Sequence, residues 1–232
     1  MPMFFDPNLM IVIAPAVMLA IWAQWRVRSN FESASRLPAP LSGAAAARHI
    51  LDSGGATDVQ VEAVPGQLTD HYDPRTKTLR LSEGVYASQS LAAVGIAAHE
   101  AGHALQDHQG FSMMSIRNAA VGIANIGANF GITVFFLGMM MQAPPLAWAG
   151  IALFAATVFF QLVNLPVEID ASNRAKRQLV DLGIVPSQSM GAVNGVLNAA
   201  TWTYVAATLQ SVLTLLFYAT QLIGGRSDDS EA

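Results

Sequence analysis

The chain has no cysteine. That excludes disulfides and thiolate metal sites, and it leaves histidine, aspartate and glutamate as the strong metal ligands. Charge is scarce as well. Asp, Glu, Lys and Arg make up 12% of the 232 residues, about half the share of an ordinary soluble domain. Hydrophobic residues reach 53%, which points to a lipid bilayer as the chain's main environment. A net charge of −4 provides no general attraction to polyanions, so nucleic acid is excluded as a partner.

Long apolar runs are present in the place of charge. The first, residues 9–25, holds 17 residues without a charge, ends in Trp22 and Trp25, and is followed by Arg26 and Arg28. Seventeen residues is the short limit for a spanning helix, and tryptophan and arginine are typical anchors at its end. A cleaved signal peptide would carry its cations ahead of the run and a small-residue cleavage site after it, so the run reads as an uncleaved anchor. Residues 118–165 read as a transmembrane hairpin. Val121–Met141 carries recurring Gly122, Gly127, Gly131 and Gly138, and the turn Gln142–Pro145 leads into the apolar span Leu146–Leu165. Small residues in such a pattern mark helix contacts in membranes. A fourth span covers residues 202–223.

Between the first and second spans the chain is more polar. Ser29–Pro40 reads as a linker. Ser42 caps a helix that runs to Leu51 and closes at Gly54-Gly55. Val59–Val64 alternates with period 2, and Leu68–Tyr72 and Thr78–Leu81 flank a turn at Asp73-Pro74, so three short strands are expected. Ser90 caps a further helix that runs to Asp107. Residues 41–115 thus form a small α+β insert, and residues 166–200 form a second helical segment, broken around Gly183 and Pro186. Eleven of the twelve Lys and Arg residues fall on one side of a four-span topology, which the positive-inside bias makes the cytoplasm. The fold class is therefore mainly α and integral to the membrane, with four spans and a small cytoplasmic α+β insert.

The helix after Ser90 contains His99-Glu100-Ala101-Gly102-His103. Two histidines four apart lie about 40° from one another around a helix, so both imidazoles project from one face. That arrangement suits one Zn2+ ion. Glu100 sits where a carboxylate can reach water beside the metal without binding the metal, which makes it the candidate general base. The small residues Ala97, Ala98, Ala101, Gly102 and Ala104 allow a second element to approach closely.

A catalytic zinc takes three protein ligands and keeps one position open. After Asp107 the next acidic residues are Glu168 and Asp170. The two spans between form a hairpin, so the chain returns to the side it left, and Glu168 becomes the third metal ligand. Asp170 is placed as an ion-pairing partner of Arg174, or as a residue that touches the ligands and not the metal.

Taken together, His99-Glu-Ala-Gly-His103, Glu168-Ile-Asp-Ala-Ser172 and the Leu68–Ser82 stretch resemble the neutral zinc metallopeptidases, a YugP-like family of bacterial membrane peptidases. The resemblance runs from about Asp6 to Ile223. It implies gluzincin-type peptidase activity, with zinc on His99, His103 and Glu168 and with Glu100 as base. Many gluzincins have an aspartate four residues after the glutamate ligand. Ser172 stands there in this chain, so that partner role does not carry over.

Four further residues are candidates. His71 could stabilise the oxyanion if the Leu68–Leu81 hairpin borders the cleft, and Tyr204 could donate to the transition state from the start of the fourth span. Asp107, one turn beyond His103, could orient that imidazole, and Asp170 was placed above. His49 and His108 read as solvated, and Met139–Met141 as membrane-facing or core because thioethers favour soft copper. The overall reading is a zinc endopeptidase at the cytoplasmic surface of the bacterial inner membrane, acting on protein or peptide substrates with the lipid bilayer as its other partner. A zinc-binding assembly or chaperone-like membrane factor is the alternative. An intramembrane protease or a transporter is disfavoured, because Gln89, Ser90, Asp107 and His108 flank the histidine helix and no other ionisable residue lies within the spans.

Overall fold

The computed structural model describes residues 6–228, and the side chains of residues 6–224. In chain order the elements are α1 (Pro7–Ser35), α2 (Gly43–Ser53), β1 (Gln60–Val64), β2 (His71–Asp73), β3 (Thr78–Ser82), α3 (Glu83–Tyr86), α4 (Leu91–His108), α5 (Ser112–Met140), α6 (Pro144–Asp181), a 3-10 turn (Ser187–Ser189) and α7 (Met190–Asp228). Four helical stretches are long and apolar enough to cross a membrane: Pro7–Ser35, Ser112–Met140, Pro144–Asp181 and Ser187–Gly224.

The chain divides into two compact units. One comprises residues 6–21, 116–165 and 204–228 of the described chain. Its helices pack through the glycines that recur in α5. A Cβ at Gly127 would come within 2.1 Å of the Leu153 carbonyl oxygen, one at Gly138 within 2.2 Å of the Ala147 nitrogen, and one at Gly131 within 2.8 Å of the Phe154 nitrogen. Gly122 faces open space. Thr157 donates to the Ala124 carbonyl at 3.0 Å, adding a polar tie between α5 and α6. Gln142, in the left-handed region at φ 52°, closes α5, and Ala143 N donates back to Gly138 O at 2.8 Å. Large apolar side chains such as Ile123, Phe130, Phe159 and Leu216 stay exposed, as expected of helix faces that meet lipid.

The other unit comprises residues 22–115 and 166–203 and contains the polar insert. Its core gathers α2, the sheet, α4 and one stripe of α6 around residues such as Ile50, Leu51, Leu79, Leu81, Val94 and Leu105. The sheet has the order β1-β3-β2, with β3 parallel to β1 and antiparallel to β2. Central β3, Thr-Leu-Arg-Leu-Ser, is buried except at half-exposed Arg80, with Leu79 and Leu81 fully buried on one face. Ser42 and Ser90 both cap as the sequence suggests, accepting from Ala45 N and Ala93 N.

Three local expectations change. The segment expected as a linker from Ser29 is helical through Ser35, held by the Arg28–Glu32 ion pair at 3.1 Å, by buried Ala34, and by Asn30 Nδ2 donating to Gly195 O at 2.9 Å. The third span and the segment that follows it form one unbroken helix, with Pro166 in its interior. The proline removes one helical hydrogen bond. The stripe Val167, Ala171, Ala175 and Leu179, each fully buried, keeps the chain helical beyond it. The break comes at Gly183, φ 64°, near where the sequence puts it. After that, α7 runs from Met190 without interruption through Trp202.

Candidate metal centre

His99 and His103 stand on the middle of α4, which starts at its Ser90 cap and is buried along most of its length. Glu168 comes from α6. The two helices touch at Gly102, where a Cβ would come within 2.7 Å of the Ala171 carbonyl oxygen. Only glycine allows this approach, and it brings the histidines beside Glu168.

The imidazole rings lie 4.7 Å apart at an interplanar angle of 83°. Their Nε2 atoms converge on Glu168 Oε2, His99 at 3.2 Å and His103 at 3.4 Å. Donor atoms on a tetrahedral zinc with bonds of 2.0–2.1 Å lie about 3.3 Å apart. Spacing and donor chemistry therefore fit one zinc ion held by His99, His103 and Glu168. Glu168 is 3% exposed and His103 6%, so a carboxylate and an imidazole are withdrawn from water and must be compensated by one another or by a bound cation. Burial works against the charged form of His103. The Glu168 carboxylate, with a smaller contribution from Glu100, outweighs it and raises the imidazole pKa above its ordinary value.

The far nitrogens of both rings are also held. His99 Nδ1 contacts Ser172 Oγ at 3.1 Å, and His103 Nδ1 contacts Gln106 Oε1 at 3.0 Å. Gln106 is fully buried and donates from Nε2 to the Val167 carbonyl at 2.8 Å and to Asp170 Oδ2 at 2.9 Å. Asp170 pairs with Arg174 at the i, i+4 spacing, and Arg174 reaches on to Gln109.

The other candidates fall as follows. Glu100 lies one residue beyond His99, half-buried and close enough for its charge to act on His103. Asp107 does not orient His103. It accepts from the Tyr72 hydroxyl at 2.8 Å, and Gln106 takes the place beside the imidazole. His71 is exposed on β2, with Nδ1 against the Thr69 carbonyl at 2.8 Å, apart from the three converging donor atoms. Its neighbour Asp70 accepts from Ser82 N and Oγ, holding the start of α3. Tyr204 is half-buried on α7 and belongs to the unit with the apolar helices. His49 and His108 are exposed, as expected. Sequence reasoning overlooked Gln106 and Tyr72. A polar residue three positions after the second histidine, on the buried face of α4, was the available signal for Gln106.

Two histidines one turn apart on one helix, joined by a glutamate from another, make a donor set that could hold one metal ion. The chain belongs to the family described as "putative neutral zinc metallopeptidase", which matches residues 9–222. It is 43% identical over 216 residues to "Putative membrane protease YugP" of Bacillus subtilis (strain 168), a match that covers 92% of this chain and 96% of that protein. No solved structure matches it.

Proposed function

We propose that the protein is a membrane-bound zinc-dependent endopeptidase of gluzincin type, hydrolysing peptide bonds at the cytoplasmic surface of the bacterial inner membrane. The observation that carries this reading is the convergence of His99 and His103 Nε2 on Glu168, with Glu100 one residue along the same helix. His99, His103 and Glu168 would hold zinc there, and the ion would supply Lewis acidity toward the scissile carbonyl and the attacking water. The Glu100 carboxylate takes the proton from the attacking water and later passes it to the leaving amine. Ser172 and Gln106 hold the two imidazoles in place while this happens. The membrane setting is supported by the four apolar helices and by the name of the Bacillus subtilis relative, and the cytoplasmic side by the eleven cations on one side of the four-span topology.

The test is zinc analysis of the purified protein together with cleavage of a peptide mixture. Glu100→Gln retains zinc and loses turnover by at least about two orders of magnitude, and full activity in that variant would overturn the role of Glu100. Glu168→Ala loses zinc, and unchanged zinc content would remove Glu168 from the ligands. A zinc-binding assembly factor would bind the ion equally but show no peptide cleavage that depends on Glu100.

A further inference from the structure

Gln106 has both faces of its amide committed. Its two neighbours on one side, the Val167 carbonyl at 2.8 Å and the Asp170 carboxylate at 2.9 Å, can only accept hydrogen bonds. Asp170 is further engaged by Arg174, which keeps it an acceptor. The amide NH2 must therefore face these two groups whichever way the oxygen and nitrogen are assigned. That leaves Oε1, an acceptor, against His103 Nδ1 at 3.0 Å. Nδ1 must then carry a hydrogen, which leaves Nε2 as the nitrogen that can give its lone pair to a metal beside Glu168. His99 is under no such constraint, because the Ser172 hydroxyl can either donate or accept.

We propose that Gln106 is a positioning residue that fixes His103 as its Nδ1–H tautomer, aims Nε2 at the zinc position and, through the Val167 carbonyl, sets the spacing between His103 and Glu168. Val167 immediately precedes Glu168, so one buried amide links the donor on α4 to the backbone beside the donor on α6. The residue touches neither substrate nor metal. This inference rests on the zinc reading above.

The test uses the full-length, detergent-solubilised protein, with zinc affinity measured by competition against a chromophoric chelator. Gln106→Leu keeps the volume but removes both donor and acceptor, and zinc affinity should fall by about 10- to 100-fold. In the zinc-loaded wild type, the His103 Nδ1 proton should be protected from exchange, and in Gln106→Leu this protection should be lost. Because the leucine variant could act through folding, a swap supplies an independent arm. Gln106→Glu faces Asp170 with a second carboxylate and loses affinity by at least about tenfold. Adding Asp170→Asn restores a donor against that carboxylate, so the double variant should bind zinc at least about threefold tighter than Gln106→Glu, yet remain weaker than Asp170→Asn alone because the Val167 carbonyl still lacks its donor. Wild-type affinity in Gln106→Leu, or a double variant no tighter than Gln106→Glu, would overturn the proposal. Failure of the wild type itself to take zinc would instead overturn the metal reading on which the proposal stands.

Discussion

Tyr72 and Asp107 close a contact that joins the sheet to the end of α4. A carboxylate in the last turn of a helix is opposed by the helix dipole, and the Tyr72 hydroxyl, donating at 2.8 Å, offsets that opposition. Burial first, and the Asp107 carboxylate second, raise the tyrosine pKa above its ordinary value. The neutral phenol is thus the form that folding favours. Its contribution is fully present below the unfolded value of about pH 10 and is lost as pH rises through the higher folded value. Tyr72→Phe should destabilise the protein at neutral pH by about 1–2 kcal/mol and should flatten the alkaline fall in stability. Thermal melts of both proteins from about pH 7 to pH 11 check this, and parallel alkaline losses would count against it. His99 and His103 were legible in the sequence because their spacing alone puts both on one helix face, with Glu100 next to the first of them. Gln106 was hidden by its neutrality beside Asp107, the more obvious acceptor. Nothing in the sequence indicated that Tyr72, 35 residues earlier, would engage Asp107.

At the scale of elements, the contact of α4 with α6 at Gly102 decides whether the donors meet. The obstacle to a side chain there is backbone, the Ala171 carbonyl, which cannot swing aside as a flexible side chain would. Gly102→Ala should destabilise the protein by about 1–3 kcal/mol through overpacking, despite the better helix propensity of alanine, and should lower zinc occupancy as the helices part. Melting temperature and zinc stoichiometry read both effects, and wild-type values for both would show that the contact tolerates a methyl group. The helix bearing the histidines was legible from Ser90 onward, and the glycine pattern of α5 foretold its close packing. The unbroken α6 was not, because a proline ordinarily argues for a boundary. What holds α6 together through Pro166 is the buried stripe from Val167 to Leu179, whose partners lie far away in sequence.

For the whole molecule, the four helices long and apolar enough to span a membrane were legible in the sequence, since length and apolarity are local properties. The order of the sheet was not local. Parallel pairing of β1 with β3 sets residues such as Val61 and Leu79 side by side although β2 comes between the two strands in sequence, a register set by tertiary packing. The absence of cysteine makes the proposed orientation easy to examine, because a single introduced thiol reacts against no background. Gln142→Cys, in the exposed turn between α5 and α6, should react with a membrane-impermeant maleimide in intact cells. Glu83→Cys, exposed at the start of α3, should react only after lysis. The opposite pattern would reverse the orientation and move the site to the outer side.

Glu168 follows His99 by 69 residues, and α5 and most of α6 lie between them. A nascent chain therefore exposes its two histidines long before it possesses the carboxylate that completes the centre. Until both helices have been made and inserted, the chain lacks its full set of donors. On the proposed reading, metal loading is then a late event in biogenesis, and peptidase activity waits for a chain that carries all three donors.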